Sequence, residues 1–239
     1  MKRNLILFFL LTATSVIGTS QSLKSKASNN AVQVPTIHLV YLKNGTPFDQ
    51  ACGQEMKKPV SKEDMEEVFQ RLGEFQALWD KDGTTYLKTA IKEVGVDFPY
   101  KAMQATLTAC DFSSMSSPLL IYVKRFLSSA EKPLPLWAFP ELVFHEVMHT
   151  YTRAVYDISP LRKKYAAEVP VILNHLHSMA LEKLVLVKLN KTEILQWLDN
   201  RYRNQFGPDY KRAWEIVNDI EGYEAFIQEL KRMPRKAGK

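Results

Sequence analysis

The chain has 239 residues, of which 46% are hydrophobic and 24% are charged. This balance supplies enough apolar residues for one sizeable core and excludes a disordered or fibrous protein. The formal charge of +6 is mild, and its basic residues are dispersed apart from a solvated C-terminal tail. We therefore expect no nucleic-acid partner.

Residues 1–20 have the order of a signal peptide. Lys2 and Arg3 precede the apolar run 5–11, and the small residues Gly18 and Ser20 stand before an expected cleavage at residue 21. The apolar run is too short for a membrane span, and no later stretch approaches about 18 uncharged apolar residues. We expect a secreted or periplasmic protein with no stable membrane insertion once the signal peptide is removed.

The N-terminal part, residues 34–135, carries both strand and helix patterns. Three runs rich in β-branched and other apolar residues predict a small, mostly antiparallel sheet: 34–42, 101–112 and 119–126. Between the first two runs, Ser61 opens a capping box for an amphipathic helix, and we expect that helix, or the segment just after it, to end at Asp82-Gly83. A second helix is predicted over residues 84–94, before Gly95.

The C-terminal part, residues 136–239, has mainly helical patterns. A helix is predicted from Pro140 to about Tyr156, and Ser159-Pro160 and Pro170 should begin the next segments, because proline suits the first turn of a helix. Further helices are predicted over 192–204 and 209–230. The fold class is therefore α+β and mostly helical, with residues 21–239 forming a single domain.

The chain has two cysteines, Cys52 and Cys110. In an exported protein one such pair is expected to form a disulfide. The alternative is two separate thiols.

Residues 145–149 form the pattern His-Glu-x-x-His. On a helix, His145 and His149 lie on the same face one turn apart, so both can bind one metal ion. Glu146 is placed to contact a water on that ion and act as a general base. The alternative is a pair of hydrogen-bonded core histidines without a metal.

Glu168 follows His149 after eighteen residues, and with this spacing the segment 145–168 resembles the gluzincin metallopeptidases. The resemblance implies a Zn²⁺ site with His145, His149 and Glu168 as ligands and Glu146 as the general base. The chain departs from the gluzincin pattern at Ala167 and Ile172, where that group often has Asn and Asp. A metzincin pattern is excluded, because Val155 stands where its third histidine would be.

Other residues remain candidates near this site. Glu168, His175 and Glu182 recur every seven residues, so His175 can orient Glu168, replace it as a ligand or donate to the transition state. Asp157 and Glu182 are weaker ligand candidates. Several tyrosines are candidate transition-state donors: Tyr151, Tyr156, Tyr165 and Tyr210.

These patterns predict a secreted zinc metallopeptidase that acts on a peptide or protein substrate. The same site would serve a zinc hydrolase acting on a non-peptide amide or ester. A third alternative is a non-catalytic exported binding protein with a degenerate zinc site. The patterns do not predict the oligomeric state.

Overall fold

The computed structural model describes residues 33–55 and 59–232, which all belong to one compact unit. The predicted signal peptide 1–20 lies outside the described residues. No helix in the described ranges combines the length and the hydropathy needed to cross a membrane.

Four strands form one mixed sheet in the order β1-β2-β4-β3. Their bounds are β1 Thr36–Val40, β2 Ala102–Thr108, β3 Met115–Ser116 and β4 Leu119–Tyr122. Strand β2 is parallel to both β1 and β4, and only β3 runs antiparallel to its neighbour. The predicted α+β, mostly helical fold class is confirmed, but the prediction of a mostly antiparallel sheet is wrong. Strands β1 and β2 are parallel because a long helical connection joins them, as is typical of parallel strands.

Three helices make up that connection: α1 Pro47–Glu55, α2 Lys62–Leu78 and α3 Thr84–Val94. Ser61 caps α2 as predicted, because its hydroxyl accepts from the amide of Asp64. Helix α2 itself ends at Leu78, and the segment just after it, the π-helical turn Trp79–Gly83, ends at Gly83 as expected but continues into α3 without a break. The buried Trp79 ring lies against Gly83, where an added Cβ would be 2.1 Å from the nearest ring carbon. Gly83 therefore serves close packing within a helix.

The remaining helices follow in chain order: α4 Phe139–Thr152, α5 Pro160–Lys164, α6 Pro170–Lys188, α7 Thr192–Asn204, α8 Pro208–Glu215 and α9 Tyr223–Lys231. Prolines occupy the first turns of α4, α5 and α6, as predicted. The single helix predicted over 209–230 is divided. After a π-helical turn, Ile216–Ile220, Gly222 adopts a φ of +79° and separates α8 from α9.

Helix α6 lies at the centre of the helical part. It packs against α3, α4, α7, α8 and α9, and most of its length is buried. A helix surrounded in this way is apolar on nearly all sides, which explains why its sequence has little amphipathic pattern. Because α3 and the sheet share this core with the C-terminal helices, the two parts predicted from the sequence fold around one interior.

Cys52 and Cys110 are paired as a disulfide, with their Cα atoms 6.0 Å apart. The bond ties α1 to the residues that follow β2.

Candidate metal centre

Helix α4 places Glu141, His145 and His149 on one face, because they are four residues apart. Pro140 lies in its first turn, where the missing amide hydrogen of proline costs no helical hydrogen bond. The opposite face, with Val143 and Val147, is fully buried in the core. Packing of that apolar face fixes the rotation of α4 and so the direction of the histidines.

Helix α6 presents a matching polar face to α4. His175, Ser178 and Glu182 are three and four residues apart, so they form one row along a helix that is mostly apolar. All three are buried. The contact between α4 and α6 therefore brings two polar rows together inside the core.

Three histidines meet between these rows. The Nε2 atoms of His145 and His149 are 3.1 Å apart, and with His175 each ring offers a nitrogen within 4.8 Å of the others. Two nitrogens bound to one tetrahedral zinc ion are roughly 3.3 Å apart, given Zn–N bonds of about 2.0–2.1 Å. The histidine separations are compatible with one shared ion.

Each histidine uses its Nδ1 atom for a contact with the protein. The Nδ1 of His145 is 2.6 Å from a carboxylate oxygen of Glu182, and that of His149 is 3.3 Å from the hydroxyl of Ser178. His175 Nδ1 donates to the Val171 carbonyl at 2.7 Å. These contacts engage Nδ1, as in metal-binding histidines whose second nitrogen is held by the protein, and the Nε2 atoms of His145 and His149 face each other.

The protonation of the rings also suits a metal. Burial lowers the pKa of His149 well below its usual range and lowers the pKa of His175 to about 3. Both imidazoles are therefore neutral at physiological pH, which is the form that binds a metal ion. The donor atoms and supporting contacts of the three residues fit a metal ion, and so does the neutral form of His149 and His175.

Glu146 lies beside the histidines and lines the same cavity as His145. It is 7% exposed, and burial raises its pKa to about 7. The cavity has a volume of about 340 Å³, and Tyr210 also lines it, with its ring 4.5 Å from that of His175. A carboxyl group and a phenol thus line the same cavity as the His145 imidazole.

Glu168 does not join this group. Its carboxylate accepts a hydrogen bond from Arg212 at 2.9 Å. Helix α6 begins at Pro170, so Glu168 precedes the helix and does not continue the seven-residue row of His175 and Glu182. Within the described residues, His175 takes the third position that the gluzincin spacing gave to Glu168.

The remaining candidate ligands, Glu182 and Asp157, and also His177, are not part of the histidine group. Glu182 supports His145, and its second oxygen accepts from Tyr202 at 2.9 Å. Asp157 is exposed at the surface. His177 points away from the centre, towards Glu229 at 2.9 Å.

The four candidate tyrosines differ in their surroundings. The Tyr151 hydroxyl donates to the Val96 carbonyl at 2.6 Å, and its ring stacks on Phe98, so it does not line the cavity. The Tyr156 hydroxyl donates a hydrogen bond to the Asn174 carbonyl, and the Tyr165 hydroxyl donates one to the Glu221 carboxylate. Of the four tyrosines weighed from the sequence, Tyr210 is the one that lines the cavity.

Strand β4 lies inside the sheet and offers no free edge to an extended substrate. Strand β4 has β2 on one side and β3 on the other, so its backbone is already paired. The sheet edge nearest the site is β3, and the preceding residues Phe112, Ser113 and Ser114 line the cavity.

The sequence patterns did not reveal three features of the site. Ser178 was not identified as a partner of His149, and Glu182 was considered only as a ligand. The signal for both was the spacing of polar residues, three and four apart, within an apolar helix. Arg201 of α7, which also lines the cavity, was missed because its helix has many charged residues.

No protein-family model, curated protein or solved structure matches this chain.

Proposed function

We propose that the chain is a zinc-dependent hydrolase that cleaves peptide substrates. The observation that carries the proposal is the convergence of three imidazoles, those of His145, His149 and His175, one of which lines a cavity together with the carboxyl group of Glu146. Three protein ligands with one open position are typical of catalytic zinc sites, whereas structural sites have four.

A zinc ion held by these histidines would lower the pKa of a bound water and polarise a substrate carbonyl. Glu146 is placed to accept a proton from the attacking water and to pass it to the leaving amine. Glu182 and Ser178 keep the histidine rings oriented through their Nδ1 atoms. Tyr210 is placed to donate a hydrogen bond to the oxygen of the substrate carbonyl as negative charge develops there.

Export is part of the proposal. The basic and apolar residues within 1–20 have the order of a signal peptide. The disulfide between Cys52 and Cys110 independently supports an oxidising compartment.

The test combines metal analysis with a Glu146→Gln variant. We expect about one zinc per chain in both the wild type and the variant, because Glu146 contributes no ligand. Peptide cleavage, measured with a fluorogenic peptide library, should fall by about 100-fold or more in the variant.

Glu193→Gln, an exposed change in α7, is the matched control and should keep full activity. Full activity in Glu146→Gln would contradict the proposed mechanism, and a protein that binds no zinc would contradict the metal site. Cleavage of esters or acyl amides with no cleavage of any peptide would assign the same site to a non-peptide substrate.

A further inference from the structure

Among the described residues, one charged side chain of the cavity has no oppositely charged partner. Arg201 of α7 is only 6% exposed, and its Nε atom has no hydrogen-bond partner among the described residues. Its guanidinium lies between two aromatic rings, 4.4 Å from the centre of Trp197 and 4.6 Å from that of Phe206. The two rings hold the group in place without neutralising its charge.

A second arginine increases the positive charge. Arg125 lines the same cavity and is half-buried. Burial, together with the charge of Arg125, lowers the pKa of Arg201. In the part of the chain that the structure describes, neither guanidinium forms an ion pair or a side-chain hydrogen bond.

Glu141 is the nearby carboxyl that could pair with Arg201, yet no hydrogen bond joins them. The Oε1 atom of Glu141 also has no partner within the described ranges, and burial raises the pKa of Glu141 well above its usual range. A buried charge without a partner is destabilising, and binding of an anion from outside the chain would offset that cost. Arginine is the side chain best suited to bind a carboxylate, because its planar group donates two parallel hydrogen bonds.

We infer that Arg201, together with Arg125, binds a carboxylate group of the substrate while the scissile bond lies next to His145 and Glu146. This inference rests on the proposed function, because it assigns a substrate class to the same cavity. The carboxylate can be the C-terminus of a peptide or an acidic side chain. The aromatic residues that line the cavity, including Phe112, Tyr122 and Trp197, fit an apolar group on the same substrate.

Binding without turnover tests the inference separately from catalysis. The probes are N-acetyl-phenylalanine and its amide, which differ only in the carboxylate, and calorimetry with the zinc-loaded protein measures their affinities. We expect the acid to bind at least about tenfold more tightly than the amide, because hydrogen bonds to charged groups are strong. Arg201→Gln should remove this preference.

Two further variants complete the test. Arg125→Gln should weaken the preference and provides the result if Arg201→Gln does not fold, since Arg125 is less buried. Arg153→Gln, which removes an exposed arginine just after α4, is the matched control and should bind both probes as the wild type does. If Arg201→Gln and Arg125→Gln both keep the full preference, the carboxylate binds elsewhere, for example on the metal, and the inference is overturned.

Peptide pairs identify the source of the carboxylate. One pair differs in a free or amidated C-terminus, and the other has Glu or Gln within an amidated peptide. A preference of at least about tenfold for the acid in either pair, lost in Arg201→Gln, supports the inference and names the source. Equal binding in both pairs overturns it. A protein that binds the acids but cleaves no substrate would contradict the proposed function and leave the carboxylate site standing.

Discussion

His175 and Glu168 show how a few residues decide the chemistry of a site. Both lie at spacings after His149 that could supply a third ligand. Pro170 separates them, because the helix begins there and only the residues after it share the buried face. His175 is within this face, and Glu168 pairs with Arg212 outside it.

Replacing each of these two residues tests the assignment. His175→Ala should lower zinc affinity by on the order of 100-fold or more, because it removes a metal-binding nitrogen. Glu168→Gln should leave zinc affinity unchanged, since its carboxylate contacts Arg212. Competition with a chromogenic chelator measures both affinities. Loss of zinc in Glu168→Gln with retention in His175→Ala would restore the gluzincin assignment.

Glu182 should affect the metal without touching it. Its carboxylate contacts the Nδ1 of His145 at 2.6 Å, which orients the ring and makes its Nε2 a better ligand. We expect Glu182→Gln to weaken zinc binding by about 10- to 100-fold. The same competition assay measures the change, with Glu193→Gln as the exposed control. Unchanged affinity would show that the orientation of His145 does not depend on this contact.

At the level of elements, the continuous helix from α2 to α3 depends on the close approach of the Trp79 ring to Gly83. The π-helical turn Trp79–Gly83 packs against α4, which carries the histidines. Trp79 is fully buried there, and its ring occupies the space that a side chain at residue 83 would need. This turn therefore helps to hold α4, the helix that carries His145 and His149, in place.

Gly83→Ala should lower the free energy of unfolding by about 1–3 kcal/mol, because the new methyl group overlaps the Trp79 ring. Gly73 in α2 is the matched control, since an added Cβ there has no atom within 4 Å. Gly73→Ala should be stabilising by up to about 1 kcal/mol, as expected for alanine in place of glycine in a helix. Chemical denaturation measures both values. Equal stabilisation by the two changes would contradict the packing at Trp79.

For the whole molecule, the disulfide closes a long stretch of chain. Cys52 and Cys110 are separated by 58 residues, and the segment between them contains α2, α3 and β2. Cross-linking so long a segment restricts the unfolded chain and stabilises the folded state.

We expect the double variant Cys52→Ala/Cys110→Ala to lose about 2–4 kcal/mol of unfolding free energy. Urea denaturation measures the loss, and the wild type treated with reductant should show a loss of similar size. Zinc binding should be unchanged in the folded variant, because neither cysteine belongs to the histidine group or lines the cavity. A variant as stable as the oxidised wild type would contradict a stabilising role for the bond.

The sequence by itself determined the local features of this protein. The proline-started helices, the cap at Ser61, and the placing of His145, Glu146 and His149 on one helix all depend on neighbours a few residues apart, so periodicity and local chemistry were sufficient. The fold class followed from the same patterns.

Only the tertiary structure decided which distant residues meet. The parallel direction of the strands depends on a helical crossover. The position of His175 beside the other two histidines depends on where α6 begins, and the position of Arg201 in the cavity depends on the packing of α7. Each of these contacts joins residues far apart in the chain. Their partners are selected by burial of the whole core, which no local pattern records.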